Sequence, residues 1–324
     1  IKVYMAEFFL FIVGLVLLVR GADFLVYGGA RLASRFGISE LIVGLTVVAL
    51  GTSLPELSVS LTAAIRGSAD LALGNAVGSN IANLLLILGI SSIVYPLAIK
   101  RRTTLIEFPF SLLAAITLWI LANDQFFIKS PQNILSRLDG FIFLIFASAF
   151  VFYLYKSFKS RSDDLPEIPT NHEINVWEAG AKIFGGALLL IFGGQMVVGE
   201  ASAIAAALGV SQTFIGIFII ALGTSLPELA TSVLAAYKKN ADIAVGNIIG
   251  SNIINIFLVI GISAIARPLE YHGQLNFDLA VLILSTTLII GAILSGKNHK
   301  FERSFGVVFI LAYLAYLAYS VYKI

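Results

Sequence analysis

The sequence predicts an all-α polytopic membrane protein, with ten transmembrane helices arranged as two inverted five-helix repeats. Apolar runs recur along the whole chain, its two halves repeat each other, and each half holds an odd number of runs. Of the 324 residues, 58% are hydrophobic and 12% charged, whereas soluble domains carry about a quarter charged residues. A bilayer crossing needs about 20 apolar residues in a helix. Runs of that order fall at 5–24, 38–65, 70–97, 103–122, 138–156, 177–198, 210–237, 241–266, 275–295 and 303–322. They are continuously apolar, unlike the alternating segments of about 10 residues that build a membrane β-barrel.

The first run lacks a basic leader and continues into sequence that recurs later, so it reads as a spanning helix rather than a signal peptide. The second carries GTSLPE at 51–56, and the third carries GNAVGSNIAN at 74–83. The fourth and fifth are plainly apolar. Trp119 and Trp177, near run ends, fit interfacial anchors. The polar stretch 157–176, SFKSRSDDLPEIPTNHEINV, reads as a linker without a core of its own. It divides an N-terminal unit, 1–156, from a C-terminal unit, 177–324.

The second unit repeats the first at one constant offset, which carries position 49 onto position 221. Gly37-Ile38-Ser39 falls on Gly209-Val210-Ser211, and Pro96 falls on Pro268. ALGTSLPELSVS (49–60) falls on ALGTSLPELATS (221–232), with 10 of 12 residues identical. GNAVGSNIANLLLILGISSI (74–93) falls on GNIIGSNIINIFLVIGISAI (246–265). Five crossings per unit force the second copy to enter the membrane from the opposite side, the inverted-repeat plan of transporters.

Lys and Arg in alternate loops set the orientation. One side holds thirteen: Arg31, Arg35, Lys100, Arg101, Arg102, Lys156, Lys159, Arg161, Lys238, Lys239, Lys297, Lys300 and Arg303. The other holds six: Lys2, Arg66, Lys129, Arg137, Arg267 and Lys323. The richer side is expected to be cytoplasmic, with the linker, and both termini extracellular in a multi-pass plasma-membrane protein. The net charge of +2 offers no basic surface for nucleic acid, and the absence of cysteine excludes disulfides, thiolate metal sites and cysteine nucleophiles.

The chemistry concentrates in the two repeated motifs. Glu56 lies in the middle of the second span and Glu228 in the middle of the seventh, where an ionisable group is costly and faces a cavity or a partner. Pro55 and Pro227 lack an amide donor and crowd the preceding turn. They are expected to break each helix and free carbonyls over Ala49–Thr52 and Ala221–Thr224, tolerable only where these line a cavity. At about 1.5 Å of rise per residue, the hairpin that follows returns Asn83 to the level of Glu56, and likewise Asn255 to Glu228. Ser79 and Ser251 lie one turn nearer the hairpins. Two carboxylates, two amides, hydroxyls and carbonyls make a set of hard oxygen donors suited to Ca²⁺ and Na⁺. Two Glu charges neutralise one Ca²⁺, and competition for one ligand set is a physical basis for exchange.

Blander readings accompany these. Ser53-Leu-Pro-Glu56 also matches a capping box. Gly74, Gly78, Gly246 and Gly250 are first of all close-packing positions, and Asn83 or Asn255 alone would serve as interhelical hydrogen-bond glue. Asp70 and Asp242 suit helix starts. Asp23, replaced by Gln195 in the repeat, and the stripe of Tyr313, Tyr316 and Tyr319 read as structural or interfacial.

The paired GTSLPE and GNxxGSNxxN motifs on five-span halves resemble the α-repeats of the cation/calcium exchanger superfamily, most nearly the prokaryotic sodium/calcium exchangers. The resemblance covers essentially the whole chain. It implies that Glu56 and Glu228 are central Ca²⁺ ligands, helped by the carbonyls of Thr52 and Thr224. Ser79 and Ser251, with the carbonyls of Ala49 and Ala221, would form flanking Na⁺ sites. Ser53 and Ser225 would line the site, and Asn83 and Asn255 would complete the central level. It also implies that the first and sixth helices slide across the rest, helped by Gly21, Gly28, Gly29, Gly193 and Gly194. Where an archaeal member has an aspartate, this chain has Asn255, which argues against K⁺ cotransport and leaves the coupling ratio open.

The expectation is therefore a secondary antiporter moving Ca²⁺ against Na⁺, with no cofactor and with the lipid bilayer as its surroundings. Both halves of the site lie in one chain, so a monomer should suffice, and no enzymatic activity is expected. The rivals are a Ca²⁺/H⁺ antiporter on the same fold and a passive cation channel. An intramembrane aspartic protease would need two close Asp residues in a GxGD-type motif, which this chain lacks.

Overall fold

A computed structural model describes residues 2–127, 129, 132–164, 174–208, 221–295 and 300–322. The chain is mostly helical. Among the described residues, eight helices are long and apolar enough to cross a membrane, and one bent pair, Glu40–Thr52 with Leu54–Arg66, makes a ninth candidate. Of the expected seventh span, 210–237, the part before Ala221 lies outside the described residues, as do Gly209, Ser211 and much of the linker.

Helix α1, Lys2–Phe36, runs well past the expected boundary at residue 24. Its last turns carry polar side chains: Arg31 Nε donates to Tyr27 Oη at 2.9 Å, and Lys182, from the later helix Val176–Ala207, sits 4.0 Å from the Tyr27 ring centroid. Long cationic side chains of this kind reach the interface while their stems stay apolar. The helix stops only at Gly37, whose φ of 63° is left-handed, the usual glycine terminator. Arg31 and Arg35, expected in a loop, are thus helical.

Helix α2, Glu40–Thr52, begins at an N-cap, with Ser39 accepting from the Ile42 amide at 3.4 Å. Helix α3 is Leu54–Arg66, and α4 is Ala69–Val94. Helix α5, Arg101–Ala122, is interrupted at Ile106. Helix α6, Arg137–Asp164, enters the segment read as linker from 157 onward, because its helical pattern outlasts the apolar run. Helix α7, Val176–Ala207, starts at Asn175, which accepts from the Trp177 amide at 2.9 Å. The second half continues with α8 (Ala221–Gly223), α9 (Leu226–Tyr237), α10 (Ala241–Ala266), α11 (Leu275–Ser295) and α12 (Arg303–Tyr322).

Helices α4 and α10 are the most buried of the eight single-helix candidates: 72% and 78% of their apolar windows are buried, against 17–39% for the other six. Residue Phe257 of α10 anchors an aromatic cluster with Phe110, Phe143 and Phe146. Outside this core, α1 packs on α7 with backbones in contact. A Cβ on Gly21 would lie 2.8 Å from the Gly186 carbonyl, one on Gly28 2.8 Å from the Ala179 carbonyl, and one on Gly193 2.8 Å from the Leu18 amide. As the α1 number rises the α7 number falls, so the two helices run antiparallel.

Short ladders tie the halves at their ends. Strand β1 (Leu97–Ala98), just after α4, pairs antiparallel with β4 (Lys300–Phe301), just before α12. Strand β2 (Ile134–Leu135), before α6, pairs with β3 (Leu269–Glu270), after α10. These four strands qualify the all-helical expectation.

Candidate cation-binding site

The proline motifs break their helices as the sequence predicts. Helices α2 and α3 meet at 48°. At the joint Ser53 has φ −85° and ψ 6°, and Ser225, between α8 and α9, has φ −84° and ψ 3°. This sparsely populated bridge region suits residues held by their surroundings. The freeing of carbonyls is narrower than expected, since the Ala49 carbonyl still accepts from the Ser53 amide at 3.0 Å and from Thr52 Oγ1 at 3.2 Å. In the second half the Ser225 amide turns to Leu222, three residues back, at 3.2 Å.

The capping-box reading fails. Neither Ser53 nor Ser225 caps its helix with its side chain. Ser53 Oγ instead crosses to the other half and donates to Glu228 Oε1 at 3.0 Å. Residues Glu56 and Glu228 are both 0% exposed. Ser79 Oγ donates to Glu56 Oε1 and Ser251 Oγ to Glu228 Oε1, each at 3.3 Å. The first side chain to meet each glutamate across its hairpin is therefore the serine, not the asparagine one turn on.

Further contacts come in pairs related by the repeat. Thr52 Oγ1 donates to Asn247 Oδ1 at 3.0 Å, and Asn247 Nδ2 to Ser232 Oγ at 2.9 Å. Correspondingly, Thr224 Oγ1 donates to Asn75 Oδ1 at 3.1 Å, and Asn75 Nδ2 to Ser60 Oγ at 2.9 Å. Thr52 lies 3.4 Å from Ser251 Oγ, and Thr224 3.5 Å from Ser79 Oγ. Deeper still, Asn83 Nδ2 donates to Asn252 Oδ1 at 2.9 Å and Asn255 Nδ2 to Asn80 Oδ1 at 3.1 Å. Side chains from both halves thus converge on one buried locus. Asn75, Asn247, Asn80 and Asn252 lie outside the expected set of site residues, although they repeat within the same motifs.

Several oxygens at this locus have no hydrogen-bond partner among the described residues: Glu56 Oε2, Glu228 Oε2, Asn83 Oδ1, Asn255 Oδ1 and Ser225 Oγ. Buried polar atoms are normally satisfied, so a set of orphaned lone pairs fits a cation. Among the described residues no cluster of three or more His, Cys, Asp or Glu could hold a metal; the set relies on two carboxylates supplemented by neutral oxygens. Helix geometry supports the local irregularity. Residues 44–48, 82–87 and 255–260 form π-helical turns, and Asn83 and Asn255 sit in two of them. Such turns occur often at functional positions.

At the two ends of the molecule, ion pairs join the halves. Lys100 pairs with Asp242, and Lys238 with Asp23. His272 Nδ1 lies 2.8 Å from Asp70 Oδ1, and the repeat offset carries Lys100 onto His272 and Asp70 onto Asp242. Hydrogen bonding to the Asp70 carboxylate, and its charge, hold the His272 imidazole above its ordinary pKa. Asp70 and Asp242 therefore do more than attend helix starts, and Asp23 has the structural role expected of it. In the tyrosine stripe, Tyr313 is buried, and Tyr316 Oη donates to Asp278 at 2.9 Å. Trp177 is 88% exposed.

The close packing expected of the motif glycines is present in one half. Cβ atoms on Gly246 and Gly250 would fall 2.8 Å from the Leu41 carbonyl and 2.7 Å from the Leu45 carbonyl. Around Gly74 and Gly78, nothing among the described residues lies within 4 Å of an added Cβ. The repeat counterparts of Leu41 and Leu45 are Thr213 and Ile217, which lie outside those residues.

Known proteins resemble the chain over nearly all its length. The family described as sodium/calcium exchanger protein matches residues 6–156 and 181–322. The putative antiporter CaxA of Alkalimonas amylolytica is 36% identical over 313 residues, covering 94% of this chain and 95% of the relative. The sodium/calcium exchanger MaX1 of Methanosarcina acetivorans is 30% identical over 339 residues, covering 95% and 96%. The solved structure of the sodium-calcium exchanger NCX_Mj superposes with a TM-score of 0.81 at 31% identity, covering 97% of this chain and 99% of that one.

Proposed function

Because this chain belongs to the sodium/calcium exchanger protein family, we propose that it is a secondary active antiporter exchanging Ca²⁺ for Na⁺ by alternating access. The observation that carries the reading is the pair of fully buried glutamates, Glu56 and Glu228, bridged between halves by Ser53 and surrounded by unpartnered oxygens. In this reading the two carboxylates, the Thr52 and Thr224 carbonyls and the amide oxygens of Asn83 and Asn255 take Ca²⁺. Ser79 and Ser251, with the Ala49 and Ala221 carbonyls, take Na⁺ beside them, and Ser53 and Ser225 line the space. The two glutamate charges balance one Ca²⁺ or a pair of Na⁺, and excess positive charge in a low-dielectric centre is disfavoured. One cation set therefore displaces the other.

The architecture in this proposal is two inverted five-helix repeats, ten spans in all: 1–156 and 177–324, joined by a cytoplasmic linker at 157–176. The antiparallel run of α1 and α7 supports it, as do the site contacts that recur at the repeat offset. Glycines at backbone distance hold α1 and α7 to each other, so in this reading the two helices slide across the rest of the molecule as one pair. The protein would work as a monomer in the plasma membrane with both termini outside. Purified protein in vesicles, pH clamped on both sides, should take up Ca²⁺ when Na⁺ is loaded inside and diluted outside. Uptake driven only by a proton gradient would replace Na⁺ with H⁺ as the coupled ion, and flux indifferent to any counter-ion would indicate a channel.

A further inference from the structure

The two amides proposed as ligands, Asn83 and Asn255, would bind a cation only with their oxygens turned to it; a flipped amide presents two N–H donors instead. Something must therefore fix which way each one faces. Around them lies a closed set of hydrogen bonds that crosses between α4 and α10. Asn252 Nδ2 donates to the backbone carbonyl of Asn80 at 3.3 Å, and Asn80 Nδ2 to the backbone carbonyl of Asn252 at 3.0 Å. A backbone carbonyl only accepts, so each of these two side chains must offer its nitrogen there and keep its oxygen for the other direction. That oxygen is then the acceptor for the next amide: Asn252 Oδ1 for Asn83 Nδ2, and Asn80 Oδ1 for Asn255 Nδ2.

With their nitrogens spent, Asn83 and Asn255 have their oxygens left over, and both are buried without a partner among the described residues. We infer that Asn80 and Asn252 are positioning residues that turn the amides of Asn83 and Asn255 oxygen-first toward the transported cation. The orientation is set from the backbone outward: the carbonyl of Asn80 fixes Asn252 and through it Asn83, while the carbonyl of Asn252 fixes Asn80 and through it Asn255. Each half orients the ligand amide of the other, so the level of the site is defined only when α4 and α10 are in register. The arrangement also gives the neutral residue at 255 a function of its own. Its N–H group is needed by Asn80 Oδ1, a demand that an ionised carboxylate at this position would not meet.

This inference rests on the ion-site reading, and a double-mutant cycle separates the two. Half-saturating Ca²⁺ for Na⁺-driven uptake is measured in Asn83→Ala, Asn252→Ala and the double variant. Each single variant is expected to raise it about tenfold, a change of about 1.4 kcal/mol. The double variant should lie within about twofold of Asn83→Ala, because Asn252 acts through Asn83. Additive losses, or in Asn252→Ala a fall in maximal rate with unchanged half-saturation, would overturn the positioning role while leaving the ion site standing. Normal half-saturation in Asn83→Ala would remove the site reading and this inference together. If Asn252→Ala does not fold, Asn80→Ala with Asn255→Ala carries the same cycle, and failure of both to fold would assign the asparagines to structure alone and overturn the proposal.

Discussion

Residues Glu56 and Glu228 share a burial of 0% exposure but not the same company, since Ser53 crosses to Glu228 whereas Ser225 Oγ has no partner among the described residues. Replacing either glutamate with Gln keeps its shape and removes one of the two charges that, in the proposed site, would balance the cation. Glu56→Gln and Glu228→Gln should each reduce Na⁺-driven Ca²⁺ uptake by about 100-fold or more, equivalent to about 2.7 kcal/mol, with unchanged elution in size-exclusion chromatography; retained uptake in either would discredit the site. Ser53→Ala removes one hydroxyl donor to a carboxylate, an interaction of about 1.5–3 kcal/mol, and should weaken exchange more than Ser225→Ala, compared as half-saturating Ca²⁺. The convergence of the glutamates, the serines, Asn83 and Asn255 is legible in the sequence because polar residues doubled within apolar runs stand out by composition alone. The destination of Ser53 is not. A capping box is a local pattern, and only the folded pair of halves brings Glu228 within its reach.

Element boundaries show the same division. Prolines at 55 and 227 announce the helix breaks, since a missing amide is a local fact. The lengths of α1 and α7 escape a spanning window of about 20 residues, which stops where polar residues begin, while α1 runs on to Phe36 and α7 to Ala207. The π-helical turns at 82–87 and 255–260 have no sequence signal of their own. Backbone contact between α1 and α7 makes Gly21 a sensitive position. A valine there would set its Cβ 2.8 Å from the Gly186 carbonyl, too close to remain, so Gly21→Val should cut the exchange rate and lower the melting temperature of detergent-solubilised protein. Gly180→Ala, with nothing among the described residues within 4 Å of the added carbon, serves as the control.

At the element ends, the His272–Asp70 pair differs from its counterpart, Lys100–Asp242, in holding a histidine. His272 has a raised pKa in the folded protein, so the pair stabilises below about pH 6.5, the unfolded value, and its contribution is lost as pH rises through the folded value. Lys100–Asp242 contains no imidazole. The melting temperature should therefore carry a small decline from pH 6 upward that disappears in Asp70→Asn and persists in Asp242→Asn. An identical profile in wild type and Asp70→Asn would exclude the pair as its source.

Across the whole molecule, the relation between halves is the organising feature. Most side-chain contacts at the site recur at the repeat offset, Ser53 to Glu228 being an exception, and the two β-ladders interlock the halves at their ends. In the proposed topology, inverted insertion puts the hairpin at Ser68 and the one at Lys239 on opposite faces of the membrane. The chain has no cysteine, so Ser68→Cys and Lys239→Cys can each be labelled without removing native thiols. An impermeant maleimide applied to intact cells should modify the first and spare the second; labelling of both, or of neither, would contradict the arrangement.

The central claim is that Ca²⁺ and Na⁺ compete for one ligand set built from both halves, and equilibrium binding tests it most directly. Radioactive Ca²⁺ bound to purified protein is titrated with Na⁺ at fixed pH and ionic strength, using a large organic cation to replace Na⁺. Complete displacement by Na⁺ with a Hill coefficient above 1, and loss of Ca²⁺ binding in Glu56→Gln and Glu228→Gln alike, is the predicted result. Ca²⁺ that stays bound at saturating Na⁺, or that binds equally well without either carboxylate, would contradict it.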